Sequence, residues 1–401
     1  MQCDFVCTVT VQNERKLLFS VTKVRTMKVT KMTPAFLCLS VCVFCFCTSA
    51  AEPSLNNRPI IGVLAQEFRS WSYIAASYVK FVEGSGARVV PIMINQSRSY
   101  YEDIVNHVNG ILLPGGGVYF NVTGGYAEAG SILYNLTIEK NKNGDYFPFW
   151  GTCLGFELIT FAAVNGEEHR MRCDHYNKAV PLEVKLGTFN SRLFGSASHE
   201  IIGILVKENV TANFHKYCTT MQNMTVLGLD KEWNFMTLNH DSNGMEYIST
   251  LEHRDFPIYG VQFHPEKNNY EWKISKNHPH FPEGIRISQY FGNFFVNEAR
   301  KNHHSFPSEE EERRHLIYNY PVTFTKNSSI FDQIYALKIN QTESYYEDLV
   351  NSPARVATIS QRRGMKNKPS STTFNRNTQG GMDRLLSKFI FSNFIFILIP
   401  K

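Results

Sequence analysis

Between residues 59 and 164 the chain alternates short β-branched runs with helical stretches, and no other feature restricts its possible folds as strongly. Ile60 to Ala65 reads as a buried strand, Tyr73 to Val82 as a helix stopped by Gly84 and Gly86, and Ala87 to Met93 as a second strand. Tyr100 to Val108 is a short predicted helix, Gly110 to Leu113 a third strand, and Tyr126 to Lys142 a longer helix. Tyr146 to Trp150 is a fourth strand, and Leu154 to Val164 is again helical. Apolar strands that alternate with helices specify an α/β fold, with a mostly parallel central sheet flanked by helices on both faces.

After Cys173 the texture changes to an added strand-rich region. Predicted strands are Val180 to Leu186, Ile201 to Lys207, Thr225 to Leu229, Phe235 to Asn239, Tyr247 to Leu251 and Ile258 to Phe263. A helix over Ile285 to Arg300 follows, and its stripe of Ile287, Tyr290, Phe291, Phe294 and Phe295 is spaced to pack on the sheet.

The flanks read differently. Ala35 to Cys47 is an uncharged apolar run with Lys28 and Lys31 before it and Thr48-Ser49-Ala50-Ala51 after it, the order of a secretory signal. Residues 1–51 are therefore expected to be an upstream extension and leader, residues 52–337 the catalytic domain, and residues 338–401 a tail outside the domain. Ile94 to Val105 returns as Ile339 to Val350 with nine of twelve positions identical, but without the strands that flank the first copy. The terminal apolar run Phe389 to Ile399 is too short to span a bilayer.

Six of the nine cysteines fall in the leader region, which leaves Cys153, Cys173 and Cys218. At most one bridge can then form; Cys173 with Cys218 is the pairing that spares Cys153, and the sequence alone does not establish it. Sequons at Asn95, Asn121, Asn135, Asn209, Asn223 and Asn327, with a further one at Asn340, agree with export to a secreted or lysosomal location and require those asparagines to face solvent. The formal charge of +5 is small for 401 residues and scattered, so no nucleic-acid partner is expected. No stable membrane insertion, metal or cofactor is expected either.

The chemistry centres on Gly151-Thr152-Cys153-Leu154-Gly155, placed between a strand and a helix. Glycines on both sides allow a nucleophile elbow with cysteine at its apex, and the following helix N-terminus favours thiolate. His264 leaves the last predicted strand and is followed by Pro265 and Glu266, so a base and an orienting acid are available. Leu113-Pro114-Gly115-Gly116-Gly117 follows the third strand without the Lys-Ser/Thr of a phosphate-binding loop. It is expected to supply the Gly116 amide to an oxyanion hole, with the Leu154 amide as second donor.

Together, Pro114-Gly115-Gly116, Gly151 to Gly155 and Gln262-Phe263-His264-Pro265-Glu266 resemble the class I glutamine amidotransferase superfamily. Within it the chain resembles the gamma-glutamyl hydrolases, also through Tyr73 to Lys80, Ala212-Asn213-Phe214-His215-Lys216 and Phe294 to Lys301. That resemblance implies a Cys153–His264–Glu266 triad that hydrolyses folate poly-gamma-glutamates through a thioester, substrate contacts from His215, Tyr78, Glu157 and Lys267, and a homodimer. A glutamine amidotransferase-type glutaminase and an inactive binding protein of the same fold are the alternatives. One departure is Gln66 to Ser72, a shorter loop than the family pattern where residues wall the cleft.

Overall fold

A computed structural model describes residues 54–326 and 328–338. The leader, the repeated dodecapeptide, the terminal apolar run, Asn327 and Asn340 lie outside the described residues. The main sheet has eight strands in the order Arg88–Ile92, Ile60–Leu64, Ile111–Leu113, Phe149–Thr152, Ile258–Val261, Glu246–His253, Trp233–His240 and Glu183–Val184. Neighbours among the first five run parallel. The last three extend the sheet in antiparallel fashion.

Successive strand residues point to opposite faces, so the sheet feeds two cores. Ile61, Val63, Val89, Leu112, Trp150 and Tyr259 pack on one side with Val79, Phe291 and Phe295. The helices Ala76–Glu83 and Pro282–Ala299 cover that face with their apolar stripes. Ile60, Leu64, Ile92, Ile111 and Phe149 pack on the other side with Tyr101, Leu133 and Ile159. Those partners come from the helices Arg98–His107, Tyr126–Lys142 and Leu154–Ala163. Covering both faces leaves the carboxyl edge of the parallel strands open for function.

Several predicted elements are corrected. Residues 73–75 are not helical: Trp71–Ala75 is a strand, paired antiparallel with Gln333–Lys338 from the other end of the domain. The short loop over Gln66 to Ser72 is a hairpin, with Gln66–Phe68 paired to Trp71–Ala75 across Arg69, whose φ is 59°. The predicted strand Ile201 to Lys207 is the helix His199–Lys207, and the predicted strand Thr225 to Leu229 is occupied by the helix Met221–Val226 and a 3-10 turn. In both helices a side-chain cap overrides β-branched propensity: Ser198 Oγ accepts from Ile201 N–H at 3.2 Å, and Thr220 Oγ1 accepts from Asn223 N–H at 3.2 Å. A separate ribbon of Met171–Val180 and Thr211–Cys218 was not anticipated. It carries the Cys173–Cys218 disulfide and leaves Cys153 as the free thiol among the described residues.

Asn95, Asn121, Asn135 and Asn209 are exposed. Asn223 departs from the expectation for sequons, because it is half-buried and its Nδ2 donates to the His169 carbonyl at 2.5 Å.

Candidate active site

Four neighbouring strands deliver the site at their carboxyl ends: Gln66 after Ile60–Leu64, Gly115 after Ile111–Leu113, Cys153 after Phe149–Thr152 and His264 after Ile258–Val261. Cys153 has φ 51° and ψ −105°, a strained turn for a residue with a side chain. Its N–H donates to Val261 O at 2.8 Å, and its carbonyl accepts from Glu157 N–H at 3.0 Å, so strand and helix clamp the turn from both sides. The flanking glycines are a steric requirement. A Cβ on Gly151 would meet Gly155 O at 2.5 Å, and one on Gly155 would meet Leu113 O at 2.1 Å.

Three side chains converge on Gly115. A Cβ there would lie 2.6 Å from His264 Cε1, 2.7 Å from Tyr78 Oη and 3.0 Å from Cys153 Cβ, so only glycine lets histidine and cysteine close on each other. The glycine loop is braced from outside. Gly115 N–H donates to Tyr78 Oη at 2.8 Å, Tyr126 O–H donates to Pro114 O at 2.6 Å, and Gln66 Nε2 donates to Pro114 O and Gly115 O at 3.1 and 3.2 Å. Tyr73 O–H in turn donates to Gln66 Oε1 at 3.1 Å. Gln66 and Tyr126 were missed by sequence reasoning; the signal for Gln66 was its place directly beyond a parallel strand.

His264 Nδ1 lies 2.8 Å from Glu266 Oε1 and 3.2 Å from Tyr78 Oη. A carboxylate can only accept, so Nδ1 carries the proton and Nε2 is left with a lone pair. Burial pushes the His264 pKa below its usual 6.5, although Glu266 pulls it up, so the imidazole is neutral at neutral pH. Burial would raise the Glu266 carboxyl, but His264 and Lys267 hold it below its ordinary value, and it is ionised. For Cys153 burial dominates. It raises the thiol well above its usual range, with Glu157 and Glu266 adding to the effect, while the Leu154 amide, which donates to the sulfur, and Lys267 oppose it. The expected thiolate at the helix N-terminus is therefore corrected: the resting sulfur is a thiol that needs a base.

The other candidates are placed unequally. Tyr78 touches His264, and Gly116 and Lys267 line the cleft beside it. A Cβ on Gly116 would fall 1.9 Å from Gln66 Oε1, so a side chain there would displace the Gln66 amide that braces the loop. Glu157 is turned away, paired with Arg170 at 2.9 Å and accepting from Gln262 Nε2 at 3.2 Å. His215 lies against the disulfide, with Nδ1 3.4 Å from Cys218 Sγ and Nε2 3.1 Å from Asn213 Oδ1. Cys173, His215 and Cys218 are the described group whose ligand atoms are close enough for a metal, but the disulfide occupies both sulfurs.

Residues 59–266 match the Peptidase C26 family. The gamma-glutamyl hydrolase of Homo sapiens is 43% identical over 287 residues, which cover 70% of this chain and 89% of that protein. That of Bos taurus is 41% identical over 295 residues, covering 72% and 92%. Gamma-glutamyl hydrolase B of Dictyostelium discoideum is 38% identical over 292 residues, covering 70% and 84%. The family match takes in the elbow, the glycine loop, His264 and Glu266, and ends on the last of these. A cysteine elbow, a neutral buried histidine and its carboxylate thus stand within one matched span, and the chain belongs to the Peptidase C26 family of cysteine-type hydrolases.

Proposed function

We propose that this chain hydrolyses gamma-glutamyl bonds of folate poly-gamma-glutamates, with Cys153 as nucleophile, His264 as base and then acid, and Glu266 as the orienting carboxylate. The observation that carries the proposal is the convergence of Cys153, His264 and Tyr78 on the space beside Gly115. The gamma-glutamyl hydrolase relatives supply the bond type.

The reaction follows from the protonation states. As Cys153 Sγ attacks the gamma-carbonyl carbon, its proton passes to His264 Nε2, and the imidazolium is stabilised by ionised Glu266. The carbonyl oxygen becomes an oxyanion beside the Leu154 and Gly116 amides. Collapse breaks the carbon–nitrogen bond, the amine leaves with the proton from Nε2, and a thioester remains on Cys153. Water then gives a proton to Nε2 and adds to the thioester, and the thiol is regenerated as the acid departs. Lys267 offers its charge to the substrate's alpha-carboxylate. In this account Tyr78 positions the Gly115 loop and the imidazole, and Glu157 and His215 shape the surrounding field. Residues 1–51 serve as upstream extension and secretory leader, residues 52–337 as the catalytic unit, and the destination is secreted or lysosomal.

Glutamate release from a poly-gamma-glutamyl folate by the processed chain tests the proposal. Release from gamma-linked but not alpha-linked tails is expected, and Cys153→Ala should abolish it. No release by folded wild type would overturn the proposal.

A further inference from the structure

Beside the triad the cleft is walled by His264, Lys267, Phe214, Tyr176, Lys276 and His278. Its two ammonium groups are employed differently. Lys267 is buried, 4.6 Å from the Phe331 ring and 5.6 Å from that of Phe214, and its charge acts on Glu266 and Glu271. Lys276 has no ion-pair partner among the described residues. Its Nζ donates to Tyr176 Oη at 3.0 Å and lies 4.8 Å from the Tyr176 ring and 6.0 Å from that of Phe214. The same turn's Lys273 shows the ordinary alternative, neutralised by Asp332 at 3.7 Å.

Lys276 is also held in place. Its N–H donates to Lys273 O at 2.9 Å. Next to it, Asn277 N–H donates to Asn177 Oδ1 at 2.7 Å, and Asn177 Nδ2 donates to Ser275 O at 3.4 Å. Asn177 sits at φ 60° on the disulfide-bearing ribbon, the left-handed conformation that asparagine tolerates. His278, pushed down to about 3 by burial and by Lys267, is neutral and does not compete for anions. A fixed cation that lacks a counter-ion, set in an aromatic cleft, suits a carboxylate supplied by the ligand.

In a gamma-linked chain, successive alpha-carboxylates are spaced by about 6 Å when extended, from ordinary bond lengths. Lys267 and Lys276 lie 5.6 and 6.0 Å from the centroid of one ring, Phe214, which places the two cations within about two such spacings of each other in the same cleft. We propose that Lys276, positioned by Tyr176 and Asn177, binds an alpha-carboxylate of the poly-gamma-glutamate tail one or more units away from the scissile bond, and so sets a preference for longer tails. This inference rests on the gamma-glutamyl reading above.

Lys276→Met and Lys276→Arg are compared with wild type on pteroyl-pentaglutamate and pteroyl-diglutamate. Lys276→Met should raise KM for the pentaglutamate about tenfold with little change in kcat, as loss of a charged hydrogen bond predicts. The rise should be much smaller on the diglutamate, and Lys276→Arg should recover most of the loss. An equal rise on both substrates, or none on either, would overturn the proposal. Should wild type cleave neither substrate, the hydrolase reading fails by itself, and calorimetry decides this one. Cys153→Ala should bind penta-gamma-glutamate about tenfold more tightly than Cys153→Ala/Lys276→Met; equal affinities, or no binding by Cys153→Ala, would overturn it.

Discussion

His264 is 4% exposed, and its burial outweighs the pull of the Glu266 carboxylate bonded to Nδ1, so its pKa lies below the ordinary 6.5 and the neutral form is the stable one at neutral pH. Catalysis needs that neutral form, because the buried Cys153 thiol does not ionise alone. kcat/KM should therefore fall on acidification with a midpoint below 6.5, measured as a pH–rate profile on a gamma-glutamyl substrate. Glu266→Gln removes both the partner that fixes the tautomer and the charge that raises the histidine pKa. It should lower kcat by about a thousandfold and shift the acid limb to still lower pH, while the protein remains folded.

At the level of elements, what the sequence made legible was local. Apolar runs and the glycines around Cys153 located the parallel strands and the elbow, because a buried strand and a strained turn each leave a mark within six residues. Residues 73–75 pass for the start of the following helix because the partner of the strand Trp71–Ala75, Gln333–Lys338, lies at the far end of the domain. Ile201 to Lys207 passes for a strand because Ile201, Ile202, Ile204 and Val206 are β-branched, and the cap that makes it a helix, Ser198, lies outside that run. The braces at Gln66 and Tyr126 depend on packing across the sheet, which no local pattern records. Two outcomes follow. Ser198→Ala should cost about 1 kcal/mol in urea unfolding with kcat unchanged, since only the cap is lost. Gly155→Ala puts a methyl group into the Leu113 carbonyl; it should destabilise by about 3 kcal/mol or more in the same experiment and remove activity by moving the elbow.

For the whole molecule, burial of neutral histidines links stability to pH. His253 is lowered to about 4 and His278 to about 3, both chiefly by burial, from an ordinary 6.5. The unfolded chain takes up protons first as pH drops, so the stability these groups contribute is complete above 6.5 and is lost between 6.5 and about 3. The urea midpoint should accordingly be lower at pH 4 than at pH 7. The disulfide closes a separation of 45 residues, for which chain entropy gives about 4 kcal/mol, so a thiol reductant should lower the Tm by several degrees. These terms keep intact a molecule whose purpose, in this account, is acyl transfer from a gamma-glutamyl group to Cys153 and then to water. Adding hydroxylamine during turnover of a poly-gamma-glutamyl folate tests that claim most directly, because a thioester is open to it. Wild type should divert the acyl fragment into a hydroxamate, in proportion to hydroxylamine, and Cys153→Ala should make neither hydroxamate nor glutamate. Glutamate release by Cys153→Ala, or full release by wild type with no hydroxamate at any hydroxylamine concentration, would contradict the claim.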